Sequence, residues 1–442
     1  MLGFVLRWGL RLAVAAILLV AGLAVYFFHG AAYNRFYQFP REAAAWEAIA
    51  AQRQEVERDI GLTTYRGICH AHSHRSHDSM VTYPEILEAA HEAELEFLLM
   101  SDHCVEGLAD YGEGWRGVHD GVLFVRGYEM REGFMPWGLP EDVVLDCSED
   151  PVALAERIEA LGGLLFFAHT EQDRMWDLPQ LDGMEIYNIH TLFMETSIGE
   201  MAPDILFSLR SYPDHVMRTI YQPLPEIHAR WDELNKERRI VGIGGNDAHQ
   251  NVGFRGFYTE DNRLRILTTA REDEVIREID LNFFTRALLR WWAGPLTPGE
   301  KVFRVDLDPY ERSLRFLNTH IIAGELSEEA ILAGLEQGRA FVAFDMIADA
   351  RGFVYFAEDA SGKHMMGDEA ALSPELRLVA ESPYPARFRL LRHGEEVASG
   401  EGRVFEHAPD TPGNYRVVLD LDILGEWTPW LYTNPVRIQP AA

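Results

Sequence analysis

The chain has 442 residues, of which 47% are hydrophobic and 11% aromatic, so it can bury a large core and is too apolar to be disordered. Its formal net charge of -30 argues against nucleic acid as a partner, because phosphate backbones favour basic surfaces. A phosphorylated substrate is compatible with this charge, since bound divalent cations reverse the local field.

An uncharged run, LAVAAILLVAGLAVYFF, follows Arg11 near the N-terminus. It is at the short end for a membrane-spanning helix, with Arg7 and Arg11 before it and aromatic residues at its far end. We therefore predict a transmembrane anchor over residues 1–30, with the N-terminus in the cytoplasm and the body of the chain outside it. A cleaved signal peptide is the alternative, although we find no clear small-residue cleavage site.

The segment after the anchor is rich in Ala and Glu from Arg41 to Ile60, which predicts a helical stalk over residues 31–60. Short apolar runs then alternate with helical patterns. We predict strands at TYRGI, EFLLMS, VLFVRG, LLFFA, GMEIY and IVGIGG, with helices at YPEILEAAHEAEL and PVALAERIEALGG. This rhythm predicts parallel strands buried on both faces, in a barrel or an open sheet, over residues 61–348.

Two segments interrupt the rhythm. Residues 191 to 235 predict a helical, irregular insertion, and Leu281 to Leu296 form an apolar, aromatic stretch with two arginines. We expect this stretch to be a helix packed on the barrel; the alternative is a helix that lies on a bilayer surface.

Residues 349–442 alternate in hydrophobicity between turn residues, which predicts a small antiparallel β-sandwich.

The three cysteines, Cys69, Cys104 and Cys147, make no disulfide framework by number or spacing. Cys69 and Cys104 each stand next to a histidine motif and are candidates for spatial neighbours. We expect all three to be small buried thiols.

Histidines and carboxylates follow the predicted strands. His70 and His72 end the first strand and point to one side, because alternate strand residues share a face. The later candidates are Asp78 on the following loop, Ser101-Asp102-His103, Gly127-Tyr128-Glu129, His169, Asn188 with His190, and Asn246-Asp247-Ala248-His249. A parallel α/β architecture collects its strand C-termini at one mouth, where ligands bind. Imidazole and carboxylate without paired cysteines suit Zn, Mn or Fe, and the set is large enough for two or three divalent ions.

The motifs HxHxxxSHDS, SDH, GxE, the strand-end histidine and GxDAH, in this order, resemble the PHP (polymerase and histidinol phosphatase) superfamily over roughly residues 61 to 260. The resemblance implies a distorted (β/α)7 TIM-like barrel with a di- or trinuclear metal centre, in which Glu129 bridges two ions. It implies the metal ligands His70, His72, Asp78, His103, Glu129, His169, His190, Asp247 and His249. His190 is placed only by proximity, because the part that matches near it is Glu185-Ile186-Tyr187-Asn188. Asn246 stands where Ser is common in the family motif.

The resemblance implies a metal-dependent phosphoesterase that uses a metal-activated water. The alternative is a hydrolase of carboxylic or carbamate esters at the same site, because a bacterial subgroup with a C-terminal β-domain includes such enzymes. A structural metal site on a binding or scaffold protein is disfavoured, since such sites close with four ligands. The candidate catalytic residues for proton transfer are Asp247, His190 and His77.

Other charged residues near the motifs could contact substrate. Arg75, Arg126, Arg131 and Arg174 are candidates for a phosphate clamp, although a solvated position is the simpler expectation for each. His74 is a candidate substrate contact. With the predicted anchor, we expect a single-pass protein of the bacterial inner membrane whose catalytic domain faces the periplasm, acting on a small-molecule or lipid-linked ester.

Overall fold

The fold is described from a computed structural model, which describes residues 2–196 and 198–441. The helices are α1 (Leu2–Tyr33), α2 (Phe39–Ala50), α3 (Tyr83–Glu92), α4 (Pro151–Ala160), α5 (Ile189–Glu195), α6 (Ile198–Ser208), α7 (Pro213–Arg218), α8 (Pro225–Glu237), α9 (Phe283–Ala293), α10 (Tyr310–Phe316) and α11 (Glu328–Glu336). A π-helical turn spans Asn34–Gln38 and a 3-10 turn spans Arg131–Gly133.

The strands before residue 350 are β1 (Thr63–Ala71), β2 (Phe97–Leu99), β3 (Asp102–His103), β4 (Leu108–Asp110), β5 (Gly117–His119), β6 (Val122–Val125), β7 (Tyr128–Glu129), β8 (Phe134–Trp137), β9 (Val144–Asp146), β10 (Leu164–Phe167), β11 (Leu181–Asn188), β12 (Val241–Ala248), β13 (Gly253–Tyr258), β14 (Arg263–Thr268), β15 (Val275–Asp280), β16 (Lys301–Asp306), β17 (Asn318–Ala323) and β18 (Ala340–Ala343). The strands after it are β19 (Val354–Asp359), β20 (Gly362–Met365), β21 (Glu369–Ala371), β22 (Arg377–Arg392), β23 (Glu395–His407), β24 (Gly413–Ile423), β25 (Glu426–Thr433) and β26 (Val436–Gln439).

The central sheet is the mixed α/β structure that the sequence predicts. β1 pairs in parallel with β2 and β12, β2 with β6, β10 with β11, and β11 with β12. β8 pairs with β10 in the antiparallel sense, and a single bridge joins Gly127 near β6 to Trp137 in β8. The strands are therefore paired in the order β1, β2, β6, β8, β10, β11 and β12, and β12 pairs again with β1.

This circuit departs from a strict strand–helix alternation. β8 runs antiparallel to its neighbour, and β17 pairs antiparallel with the first half of β1. Between β2 and β6 the chain forms short strands and turns instead of a crossover helix. The core is nonetheless continuous and apolar, with side chains such as Phe97, Trp137 and Phe166 fully buried among those of the parallel strands.

Residues 253–306 form a small sheet that the sequence patterns do not predict. It has the order β15-β14-β13-β16, with antiparallel neighbours. Helix α9 follows β15 and contributes Leu289 to an apolar cluster with Leu264 and Leu281. The segment Leu281–Leu296 is expected to pack on the barrel, but its helix packs through Leu289 on the small sheet, and Phe284 and Trp291 of α9 are 77% and 81% exposed.

The C-terminal strands are largely antiparallel, as the alternating pattern predicts, with pairings of β22 to β19, β23 and β24. They are joined to the central strands, because β25 pairs with β18. Asn434 reinforces this junction: its Oδ1 accepts from the N–H of Gly242 at 2.8 Å, and its Nδ2 donates to the carbonyl of Ala340 at 2.8 Å. The predicted boundary at residue 349 therefore lies within a continuous network of strand pairing.

By its contacts the chain divides into two compact units. The smaller one contains the chain up to Ala51, Thr191–Gln222 and Ile423–Glu426, and within it the ring of Trp46 lies 4.3 Å from that of His215. The anchor predicted at residues 1–30 lies in α1, and many of its side chains fall outside those that the structure describes. Among the described residues, no helix combines the length and apolarity needed to cross a membrane.

The predicted stalk helix is shorter than expected. α2 ends at Ala50, and residues 53–60 are not helical. The N–H of Gln54 donates to the carbonyl of Pro383, and that of Glu57 donates to Glu381. Arg53 donates to the carbonyls of Asp349 and Arg351. These long-range hydrogen bonds hold the segment in a non-helical conformation and outweigh its local helix propensity.

Candidate metal centre

The strand ends bring the predicted ligands together. β1 and β12 are in parallel register at Ala71 and Ala248, so the residues that follow each strand emerge at the same edge. β3 pairs with β7, which sets His103 opposite Glu129. His169 follows β10 and His190 stands in α5 directly after β11, whereas Asp78 lies on the loop after β1. Parallel pairing is thus the reason why residues far apart in sequence share one site.

Three of these residues have an unusual backbone. His70, His169 and Asp247 adopt φ angles of 76°, 49° and 50°, in the left-handed region that non-glycine residues rarely occupy. Such conformations cost free energy and persist where the surrounding structure imposes them, most often at functional sites. Here the hydrogen bond from the N–H of His169 to Glu185 Oε2, at 2.7 Å, helps to hold one of them.

The innermost group consists of His70, His72, Glu129 and Asp247, all buried. The Nε2 atom of His70 lies 3.3 Å from Glu129 Oε2 and 3.1 Å from Asp247 Oδ1. The Nε2 atom of His72 lies 3.5 Å and 3.3 Å from the same two oxygens. Two imidazole nitrogens and two carboxylate oxygens therefore converge on one point, as the ligands of a metal ion do.

A second group shares His72 and adds Asp78, His103 and His249. Asp78 Oδ2 lies 3.5 Å from His103 Nε2 and 3.4 Å from His249 Nε2. The rings of His72 and His249 are stacked with their centroids 3.8 Å apart. His103 Nδ1 also lies 3.5 Å from Glu129 Oε2, so Glu129 stands between the two groups.

A third group contains His190, Asp247 and His249. The predicted candidate His169 lies beside these groups, with its Nε2 2.9 Å from Glu129 Oε1 and 3.6 Å from Asp247 Oδ2. Each of the nine predicted ligands is therefore in one of the three groups or in contact with Glu129 and Asp247.

The charges of the site are strongly coupled. Burial would raise the pKa of Glu129 and of Asp247, but the positive charge of His70 holds both well below their usual range. Burial would lower the pKa of His169, yet its hydrogen bonds to Glu129 and Glu171 raise it to about 11. For His249, burial is likewise outweighed by the negative charges of Asp247 and Asp78, which raise the pKa to about 9. The protons on these imidazoles are those that a metal cation would displace.

The pKa values of His72 and His190 shift in the opposite direction, below the usual value for histidine. Burial and the charge of His249 lower the pKa of His72 well below its usual value. Burial lowers the pKa of His190 to about 4, against the opposing charge of Asp247. Both rings are thus held neutral, which is the form in which imidazole binds a metal.

Several candidate ligand atoms in the site are buried with no hydrogen-bond partner among the described residues. They are His72 Nε2, Asp78 Oδ1, Asp247 Oδ1 and His249 Nε2. Buried polar atoms are normally hydrogen-bonded, because leaving one unsatisfied costs about 1–3 kcal/mol. Coordination of divalent cations would satisfy all four, and the nitrogen and oxygen donor set suits the predicted Zn, Mn or Fe. The residues present therefore fit a metal centre.

A buried carboxylate supports the ligands and was not identified as such from the sequence. Glu185 lies in the middle of β11, and its Oε1 is 2.6 Å from His70 Nδ1. The side-chain amide of Asn188 donates to the other carboxylate oxygen, Glu185 Oε2, at 3.0 Å. Orientation of a ligand histidine by a second carboxylate is a common arrangement in metal sites. The feature of the sequence that indicates a role for Glu185 is that a glutamate stands inside the otherwise apolar strand GMEIY.

Ser76 and Asp102 organise the loop between His72 and Asp78. The hydroxyl of Ser76 donates to Asp102 Oδ1 at 3.0 Å, accepts from the N–H of His103 at 2.9 Å and lies 3.0 Å from His72 Nδ1. Asp102 also accepts from the N–H and the hydroxyl of Ser73. One carboxylate thus links the loops that carry His72 and His103.

The other candidates lie at the edge of the site or outside it. His77 is largely exposed, with its Nε2 3.9 Å from Asp78 Oδ2. His74 is exposed, and its ring packs edge-on against Tyr83. The arginines have other partners or face solvent: Arg75 pairs with Glu113, Arg126 and Arg174 donate to the carbonyls of Gly114 and Ala168, and Arg131 is exposed.

The prediction of three free thiols is wrong for two cysteines. Cys104, next to His103, forms a disulfide with Cys147, and Cys69 is a buried free cysteine. The pairing arises because β4 and β9 are antiparallel neighbours, which brings the residues beside them together. The sequence could not show this contact, since neither strand has a strong pattern of its own.

No protein-family model matches the sequence, and no curated protein matches it. Among solved structures, the chain is similar to the crystal structure of a two-domain protein from Bacteroides vulgatus that contains a predicted PHP-like metal-dependent phosphoesterase. The two chains share 13% sequence identity, and the match covers 87% of this chain and 99% of the other, with a TM-score of 0.37. A similarity at this level does not assign a function to this chain.

Proposed function

We propose that the protein is a metal-dependent hydrolase of phosphoric esters whose centre holds two or three divalent ions. The observation that carries the proposal is the convergence of three groups of His, Asp and Glu, with four buried ligand atoms that lack hydrogen-bond partners. The order of the motifs, which resembles the PHP superfamily, favours phosphoesters over other substrates. The circuit of strands from β1 to β12 supports a distorted seven-stranded barrel as the frame of the site.

Each candidate ligand has a role in this proposal. His70, His72, Glu129 and Asp247 would hold one ion, and His72, Asp78, His103 and His249 another; His169 and His190 complete the set. When bound, divalent ions would polarise the ester oxygen and lower the pKa of water at the site. Glu129 lies between the two groups, which agrees with the predicted bridging role.

The remaining side chains bind and orient. Glu185 keeps the ring of His70 in place, and Asp102 fixes the loop that carries Asp78 through Ser76. Of the three candidate proton donors, Asp247 and His190 lie within the metal-binding groups. His77 stands at the exposed edge, where its imidazole is open to solvent. We therefore assign protonation of the leaving group to His77.

The test uses the full chain. Metal content is measured on the purified protein, and hydrolysis is assayed with a phosphomonoester, a phosphodiester and a carboxylic ester. We expect bound transition metal and phosphoester hydrolysis, both lost in Asp247→Asn and retained in His91→Asn, a control at an exposed histidine of α3. Hydrolysis of carboxylic esters alone would favour the alternative function of a carboxylic or carbamate ester hydrolase. Absence of bound metal would refute both.

A further inference from the structure

Helix α9 presents an unusually apolar surface to solvent. Its exposed side chains include Phe283 at 73%, Phe284 at 77%, Leu288 at 63%, Trp291 at 81% and Trp292 at 62%. The spacing of 284, 288, 291 and 292 places these residues along one side of the helix. Soluble proteins rarely expose contiguous apolar surface of this kind, and where they do, it marks an interaction site.

The opposite side of α9 is anchored to the protein. Leu289 packs against the cluster of Tyr258, Leu264 and Leu281 on the small sheet. Asn282 caps the helix, because its side chain accepts from the N–H groups of Phe284 and Thr285. The helix is therefore held in a defined orientation, and its aromatic side is available to a partner.

The charge around α9 differs from that of the rest of the chain. The segment from Leu281 to Leu296 contains Arg286 and Arg290 and no acidic residue, whereas the whole chain carries a formal charge of -30. Both arginines are exposed, and neither forms an ion pair within the part of the chain that the structure describes.

The acidic residues of the neighbouring strand pair with arginines of the small sheet. Glu278 pairs with Arg263 and Arg265, and Asp280 pairs with Arg263, which also pairs with Asp261. The positive charge of α9 itself is therefore that of Arg286 and Arg290.

We propose that this side of α9 lies on the surface of a phospholipid bilayer. Tryptophan and phenylalanine beside arginine are the residues that favour the interface between lipid headgroups and acyl chains. The helix has 11 residues and would lie along the surface. A second copy of the chain is the alternative occupant of this face, and the test below distinguishes the two.

The test places a local reporter on the helix in the full chain. An environment-sensitive fluorophore is attached to Phe284→Cys, and a matched control carries it at Val404→Cys, an exposed position on β23. The native cysteines do not compete for the label, because Cys69 is buried and the others form a disulfide. Vesicles of phosphatidylethanolamine and phosphatidylglycerol are then added, with and without brominated acyl chains.

We expect a blue shift and bromine quenching for the label at position 284 and neither for the label at 404. Replacing both Trp291 and Trp292 by Ser should weaken vesicle binding reported at 284 at least about tenfold. Replacing Val397 and Val404 by Ser, a control pair of exposed apolar residues on β23, should not change it.

Three outcomes would overturn the proposal. In the first, the label at 284 does not respond to vesicles. In the second, the labels at 284 and 404 respond equally. In the third, the label at 284 shifts with rising protein concentration in the absence of lipid, which would identify a second copy as the partner. Circular dichroism of each variant confirms that it is folded.

Discussion

Glu185 Oε1 lies 2.6 Å from His70 Nδ1, and both side chains are fully buried. The contact orients the ring so that His70 Nε2 is directed at Glu129 and Asp247. A residue outside the predicted ligand set therefore controls the position of one inside it. This relationship leads to two predictions that do not require knowledge of the substrate.

Replacing Glu185 by Gln should weaken metal binding about 10- to 100-fold, since an amide orients the ring and raises its basicity less well than a carboxylate. Competition with a metal-binding dye measures the affinity. Glu358→Gln, at a partly exposed glutamate of β19, serves as the control. An unchanged affinity would show that Glu185 has no part in the centre.

Replacing Gly245 by Ala should disturb the same contact from the other side. A Cβ atom at this position would lie 2.0 Å from Glu185 Oε1, so the carboxylate would have to move. Because both changes act on one contact, the loss of metal affinity in Gly245→Ala with Glu185→Gln should be less than the sum of the single losses. Gly324→Ala, where the added atom meets nothing within 4 Å, is the matched control.

The Cys104–Cys147 disulfide should stabilise the folded chain by about 2–4 kcal/mol through its closed loop. Urea unfolding with and without a reductant measures this difference. In Cys104→Ser with Cys147→Ser, the reductant should have no further effect. If reduction leaves the stability of the wild type unchanged, the bond does not form in solution. Since Cys104 follows His103, metal content should fall together with stability.

Asp182 predicts a dependence of stability on pH that is separate from the metal centre. Burial raises its pKa to about 6, although the hydrogen bond from the N–H of Leu165 opposes this. The folded protein therefore keeps a proton that the unfolded chain loses near pH 4, and stability falls as the pH rises from about 4 to about 6.

Asp182→Asn should remove this contribution, so the variant should gain stability over the wild type above that window, on the order of 1 kcal/mol. Urea unfolding on both sides of the window measures the difference, with the exposed Asp142→Asn as control. A constant difference between variant and wild type across the window would contradict the assignment.

The sequence predicts the central elements well where the patterns are strong. Apolar runs such as LLFFA and IVGIGG form β10 and β12, and the polar residues after them meet because parallel strands end at one edge. The helix α3 begins at its predicted proline-containing turn, where Thr82 and Glu85 form a capping box. Local pattern and tertiary structure agree at these positions.

Elsewhere, long-range contacts decide the structure. Residues 53–60 are helical by composition, but hydrogen bonds to Glu381 and Pro383, which are far away in sequence, hold them in a non-helical conformation. The strands within residues 253–306 are short and mix polar with apolar residues, so they lack the alternating hydrophobicity by which a strand is recognised in a sequence. From the sequence, Glu185 is only part of a motif, because its role in orienting a ligand depends on where the fold places His70 across the sheet.

The pairing of β18 with β25 has a practical consequence for how the protein can be divided. Phe341 and Val342 of β18 are almost fully buried, and Asn434 supplies hydrogen bonds to the carbonyl of Ala340 and to Gly242 of β12. A fragment that ends near residue 349 would expose β18 as an apolar edge strand with unpaired backbone groups. An exposed edge strand of this kind forms backbone hydrogen bonds with strands of other chains. Truncated material should therefore aggregate, because the C-terminal strands are a required cover of the central sheet.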